Sequence, residues 1–342
     1  LNEDGSWKDL TKMYNSAADI SPTAAQMPKL LGLAYASKLY RQNKDLKSFK
    51  TFSNNGNEVA WGTIGNASTS EGMFFETINA AGVMQVPMVV SIWDDGYGIS
   101  VPQEFHTTKG SISEVLAGFE RNEDQAGIEI IRVKGWDYEG LMNAYIQAGQ
   151  LARKSHVPVL IHVEEMTQPQ GHSTSGSHER YKSQDRLNWE KDWDCNTKFR
   201  EFILENEFAT ADELDKIDME AKAQVKAEKE AAWKAFSVEI KTELQEAVQL
   251  IKDAAKKSDR KVVLEQAAND LTKTLNPIRK DVISAVRKAL ITLRKDSFAV
   301  KGDLRKWLDN QEELNHGRYN SHLYSETDWS VTKIKEVPVQ YD

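Results

Sequence analysis

Cysteine is almost absent from this chain. One residue, Cys195, among 342 cannot close an internal disulfide or build a cysteine zinc cage, so a reducing, cytoplasmic setting is expected. Long apolar runs are missing as well. The longest are stretches such as Val86 to Val90, far short of the ~20 residues of a membrane span. Neither a transmembrane segment nor a signal peptide is therefore expected, and no membrane partner. Basic charge is in deficit: 44 Lys and Arg against 52 Asp and Glu give a net charge of -8. Nucleic-acid binding needs a basic footprint and is not expected.

Glycine is missing from one half only. Seventeen of the 19 glycines lie at or before Gly176, and none falls between Ser177 and Lys301. Six of the eight prolines also precede Gly176. Gly and Pro punctuate turns between short elements, so the first half reads as an alternating α/β domain and the second as long helix. What is present supports this: 40% hydrophobic residues are enough for a sizeable core rather than a disordered chain. Residues 1–190 are expected to form the α/β domain and 191–342 a helical extension. The chain starts at Leu1 and is expected to be a piece of a longer one.

Four short apolar runs read as strands: Glu58 to Ile64, Pro87 to Trp93, Ile128 to Val133 and Val157 to Val163. Near-continuous runs of this kind suit parallel strands buried on both faces. Helical stretches, Thr23 to Asn43, Ser70 to Met84, Ser111 to Phe119 and Tyr138 to Lys154, precede and separate them. Strand, helix and strand in order imply a parallel sheet. Ligands of such sheets bind beyond the carboxyl ends of the strands, which singles out Gly65 onward and Asp94 onward. Further along, Glu213 to Phe236 and Ser237 to Lys257 are rich in the helix formers Ala, Glu and Lys, and Pro277 should interrupt a third helical stretch.

The densest signal is Ile64 to Ser100, IGNASTSEGMFFETINAAGVMQVPMVVSIWDDGYGIS. A turn of small residues, Gly65-Asn66-Ala67-Ser68, follows one strand and precedes a helix, where backbone N–H groups can hold a diphosphate. Asp95 follows Asn66 by 29 positions and closes the next strand, which puts both side chains at one sheet edge. An amide oxygen, a carboxylate and a nearby backbone carbonyl suit Mg²⁺.

This block resembles the thiamine diphosphate motif, a Gly-Asp-Gly followed, one helix and one strand later, by Asn-Asn. Its flanks, Thr69-Ser70-Glu71-Gly72 and Gly96-Tyr97-Gly98-Ile99-Ser100, are similar to one branch of that family: the α subunit of the decarboxylating first component of 2-oxo acid dehydrogenase complexes. Asp19 to Pro28 and Gly171-His172-Ser173-Thr174-Ser175 resemble the segment before its first helix and its histidine-containing phosphate loop. The resemblance runs from about Asp19 to Phe236. It implies thiamine diphosphate contacts at Ser21, Thr23, Gly65, Asn66, Ala67, Ser68, Asp95, Tyr97, Ile99 and His172. Metal ligands would fall on Asn66, Asp95 and the Tyr97 carbonyl, and His172 would be the catalytic group. The acid and the amide stand exchanged between positions 66 and 95, leaving one carboxylate in the set.

The resemblance implies a division of labour. This chain would hold the diphosphate and Mg²⁺ while a β-type subunit or fused β half, in a heterotetramer or fused dimer, supplies the activating glutamate. A pyruvate-like or branched-chain 2-oxo acid would lose CO₂, and its acyl group would pass to the lipoyl acyltransferase component. Two other readings stand beside this: a non-catalytic homologue acting in complex assembly, and a transketolase-like enzyme. Simpler roles are weighed for single residues: Glu71 as a capping-box partner, His162 as a satisfied core histidine, and His106 and His178 as loop residues.

Overall fold

The computed structural model describes residues 2, 6–16, 22–172, 177–320, 330, 333, 335 and 338. Ser21 and the stretch 173–176 lie outside the described residues. The chain divides into two compact units, Leu1–Leu214 and Asp215–Asp342.

In the first unit, α1 (Gln26–Gln42) leads into β1 (Ala60–Gly65), then α2 (Gly72–Met84) and β2 (Met88–Trp93). A small antiparallel ribbon, β3 (Tyr97–Gly98) with β4 (Val101–Pro102), and α3 (Ile112–Val115) follow, then β5 (Glu129–Lys134), α4 (Tyr138–Ser155) and β6 (Val159–Glu164). Two short helices, α5 (Gln184–Asp192) and α6 (Cys195–Glu205), complete the unit. The main sheet is parallel throughout, in the order β1-β2-β6-β5. This is the α/β architecture expected, and all four strands fall within two residues of their apolar runs. The central strands β2 and β6 are buried along nearly their whole length, whereas β1 alternates because it is an edge.

Helices cover both faces. Met27, Leu30 and Ala34 of α1 and Phe74, Ile78 and Ala81 of α2 pack against Ile64, Val90 and Ile92. On the other face Ala144, Ala148 and Ala152 of α4 recur every four residues, one helix stripe, against Val89, Val159 and Ile161. Fully burying one side chain such as Phe74 contributes about 1.5–3 kcal/mol. Gly62 lets α1 lie directly on β1, since a Cβ there would sit 2.5 Å from Leu30 Cδ2. Gly56 is equally constrained: its φ of +71° is left-handed, and a Cβ would collide with the Ser37 carbonyl oxygen and the Arg41 backbone nitrogen. Gly56→Ala should therefore cost about 1–3 kcal/mol, measurable by urea denaturation, with an unchanged midpoint refuting the packing.

Helix starts differ in their chemistry from the sequence expectation at one place. Glu71 is the N-cap of α2 by backbone geometry, but its side chain makes no capping hydrogen bond, so it is not half of a capping box. Lys191, expected to open the helical extension, lies inside α5.

The second unit is helical. Two separate helices are expected around Ser237 from composition, yet α7 runs unbroken from Ala211 to Ala255 because neither Gly nor Pro interrupts it. Its first half, before Ser237, is almost entirely exposed. Ile240, Ala247, Ile251 and Ala254 of its second half pack with α8 (Lys261–Lys273), α9 (Arg279–Thr292) and α10 (Ala299–Tyr319). Pro277 separates α8 from α9, as its missing N–H requires. Glu243, buried on α7, accepts from Arg279 of α9 at 3.0 Å and from Arg318 of α10 at 2.8 Å. Among the described residues no helix is long and apolar enough to cross a membrane.

Candidate functional site

The carboxyl ends of β1 and β2 meet at one corner of the sheet. Gly65 is the register partner of Trp93, and the Asn66 N–H continues the ladder to the Trp93 carbonyl at 3.2 Å. The chain then turns into a short 3-10 helix, Ala67–Ser70, before α2. Asn66 is 3% exposed, and its Nδ2 has no hydrogen-bond partner. Leaving such a group buried and unpaired costs about 1–3 kcal/mol, which makes Asn66 a candidate position for binding an acceptor.

The second half of the corner is Asp94 to Gly98. Asp95 Oδ1 accepts the Tyr97 N–H at 3.0 Å. Burial pushes the Asp95 carboxyl above the ordinary carboxylate range; the Tyr97 N–H and the Lys182 charge offset that in part, and the neighbouring Asp94 charge adds to it. A Cβ on Gly98 would stand 2.7 Å from the Ala67 Cβ, so the strand end at 65–68 and the ribbon at 95–98 lie against each other. The structure thus brings together Asn66, Ala67, Asp95 and Tyr97 from the expected set. Gly65 and Gly96 face open space, which leaves room at this corner.

His172 reaches the same corner through an intermediary. Its backbone N–H bonds the Tyr181 hydroxyl, and burial together with the Asp95 charge raises the Tyr181 pKa above the usual phenol value. The Tyr181 and Tyr97 rings lie 5.7 Å apart. The His172 side chain itself is exposed. Ile99 caps the β3–β4 turn with φ +61° and is 60% exposed; a β-branched residue in that region is strained. Ser68 sits half-buried on the short 3-10 helix, and Thr23 is exposed on the turn before α1.

Three groups escape a reading of the sequence alone. Lys182 donates to both oxygens of Glu190, at 2.7 and 2.8 Å, with both side chains almost fully buried. Arg186 bonds Glu190 at 2.9 Å and the Asp95 carbonyl at 2.7 Å. Both cations lie over the Tyr97 ring, 5.2 and 5.6 Å from its centre. Only the i, i+4 spacing of Arg186 and Glu190 on α5 hints at this in the sequence. Second, Asp94, which alone reads as a turn residue, is buried and bonded to His162 Nε2 at 2.9 Å. His162 is the satisfied core histidine that was expected. Third, His106 lies on the loop after β4, as expected, but its Nε2 is buried without a partner close to Gly98.

A parallel sheet with an open, glycine-edged corner at its carboxyl ends belongs to the α/β class that binds its ligand there. Within that class the chain belongs to the family of the dehydrogenase E1 component, whose model matches residues 9–241. The family's cofactor is thiamine diphosphate. The chain is 25% identical over 202 residues to a pyruvate dehydrogenase E1 component subunit alpha of Rickettsia bellii (strain RML369-C), covering 59% of this chain and 55% of the relative. It is 29% identical over 218 residues to 2-oxoisovalerate dehydrogenase subunit alpha 1, mitochondrial, of Arabidopsis thaliana, covering 63% and 41%. A Caenorhabditis elegans 2-oxoisovalerate dehydrogenase subunit alpha is 30% identical over 226 residues, covering 66% and 47%. The chain spans about half the length of the curated relatives it matches. The match stops near Lys241, so most of the helical unit lies beyond it.

Proposed function

We propose that this chain is the diphosphate- and metal-holding half of a thiamine diphosphate-dependent 2-oxo acid dehydrogenase. The substrate is a pyruvate-like or branched-chain 2-oxo acid, and the acyl group passes to lipoamide. The observation that carries this reading is the buried Asn66 Nδ2, a donor with no partner where a diphosphate oxygen would accept, beside the Asp95–Tyr97 turn.

The residues present fit the group. Asn66 Oδ1, the Asp95 carboxylate and the Tyr97 carbonyl make a hard oxygen set suited to Mg²⁺, which completes its shell with phosphate oxygens and water. Among the described residues no three His, Cys, Asp or Glu side chains form a metal cluster, so the ion depends on the diphosphate arriving with it. Gly65, Ala67 and Ser68 leave the backbone approachable, and His172 supplies a donor at the outer edge of the corner. When bound, thiamine diphosphate supplies the sink for the electrons released as CO₂ leaves. Lys182 and Arg186 fix the ring of Tyr97 and the carbonyl of Asp95 from behind, which holds the turn still. The remaining parts of the site belong to a β-type subunit or a fused β half, with a lipoyl acyltransferase component as acceptor. A single cysteine fits a cytoplasmic setting.

The test is CO₂ release by the full-length protein, with its β-type half, from 3-methyl-2-oxobutanoate or pyruvate in the presence of thiamine diphosphate and Mg²⁺. Release that chelation of the metal abolishes is expected. No release from either acid, by a protein that still binds its partner, favours the assembly role instead.

A further inference from the structure

Behind the cofactor corner runs a closed chain of polar groups that the chemistry proposed above does not use. Ser113 Oγ lies 2.6 Å from His162 Nδ1, and His162 Nε2 lies 2.9 Å from Asp94 Oδ2. The three residues are 5%, 1% and 6% exposed. The Asp94 carboxylate thus holds one ring nitrogen of His162, and Ser113 holds the other.

Asp94 then passes this order forward. Its Oδ1 accepts the Gly96 N–H at 2.8 Å, and its Oδ2 also accepts Gln103 Nε2 at 2.8 Å. Gln103 N–H returns to the Gly96 carbonyl at 3.0 Å. The Asp94 backbone is pinned on both sides, N–H to Val163 and carbonyl from Met166, each at 2.9 Å. With the backbone fixed, the carboxylate decides where the left-handed Gly96, at φ +80°, sends Asp95 and Tyr97. The order Ser-His-Asp looks like a nucleophile array, but Ser113 is buried at 5% exposure. In the sheet His162 stands between Ile92 of β2 and Arg132 of β5, and its Nδ1 also lies 3.7 Å from Glu164 Oε1.

We propose that Ser113, His162 and Asp94 are positioning residues, a buried clamp that sets the Asp95–Tyr97 turn in the shape that receives the diphosphate and its metal. This rests on the function proposed above. The clamp also explains why Asp94 and Asp95, adjacent in sequence, play different parts. Asp94 faces the core and holds the turn, whereas Asp95 faces the corner and binds.

The experiment compares His162→Leu, His162→Gln and Ser113→Ala with the wild type in the full-length protein. Two quantities are read: amide hydrogen exchange of the peptide spanning Gly96 and Tyr97 without cofactor, and the dissociation constant for thiamine diphosphate with Mg²⁺. The glutamine amide keeps a donor where Nε2 stood; leucine does not. His162→Leu should speed exchange at that peptide about tenfold and weaken cofactor binding by about the same factor, the scale for losing a supporting hydrogen bond behind a ligand. His162→Gln should stay within a few-fold of wild type, and β2 and β6 should exchange unchanged in both. If the leucine variant does not fold, Ser113→Ala carries the test, with about threefold faster exchange at the turn expected from loosening one link. Equal exchange in the leucine and glutamine variants, or wild-type exchange in Ser113→Ala, overturns the clamp. A wild type that binds no thiamine diphosphate overturns the function instead, while the exchange comparison, which needs no cofactor, still decides the clamp.

Discussion

Asp95→Asn in the full-length protein should raise the dissociation constant for thiamine diphosphate with Mg²⁺ at least about 100-fold, at or above the upper end of what losing a supporting contact costs. Asp95 is the only carboxylate in the proposed ligand set, because position 66 carries an amide. Removing it leaves the ion with neutral oxygens from the protein and only the diphosphate to balance its charge. The change is nearly isosteric, and the amide oxygen of the new side chain can still accept the Tyr97 N–H that Asp95 Oδ1 accepts now. The loss should therefore appear in cofactor binding rather than in folding. The exchanged double variant, Asn66→Asp with Asp95→Asn, restores one carboxylate to the set and should return to within a few-fold of wild type. Such strong non-additivity is the signature of two side chains sharing one ion. Additive losses in the double variant would refute the shared site.

The largest stability loss is expected at Glu190. Its carboxylate is 2% exposed in the side chain and neutralises Lys182, which is 1% exposed. Glu190→Gln leaves an uncompensated buried ammonium and should cost about 3–5 kcal/mol of unfolding free energy, the range for breaking one partner of a buried pair. The paired replacement Lys182→Met with Glu190→Leu should recover most of that loss, since apolar side chains of similar volume replace such pairs at little cost. Urea denaturation followed by tryptophan fluorescence reads both. The recovered stability should not bring back full cofactor affinity, because Lys182 and Arg186 also hold Tyr97 and the Asp95 carbonyl. A Glu190→Gln variant within about 1 kcal/mol of wild type would place the pair in water.

Much of the fold is legible in the sequence because it rests on short-range pattern. The strands β1, β2, β5 and β6 announce themselves as apolar runs, and α4 by its alanines at four-residue spacing. The corner at Asn66 and Asp95 is legible for the same reason: each ends one such strand. The continuity of α7 through Ser237 is not, since a pause in composition is no break without Gly or Pro. The burial of Asp94 is hidden because its histidine partner comes from far along the chain. His162 meets it only after β6 has been inserted beside β2, and Ser113 is joined through that histidine. A single histidine in the apolar run of a central strand is the one local sign of that network. Lys182, Arg186 and Glu190 are obscured by the same distance, and among charged helices their i, i+4 spacing is common. Resemblance places His172 near the corner, and the route through Tyr181 supplies the geometry that joins them.

The most direct measurement is calorimetric titration of thiamine diphosphate into the full-length protein with and without Mg²⁺, for the wild type, Asp95→Asn and the exchanged double variant. Metal-dependent binding by the wild type, its loss in the single variant and its return in the double are the expected results. Binding that ignores the metal, or that survives Asp95→Asn unchanged, would contradict the shared metal and diphosphate site.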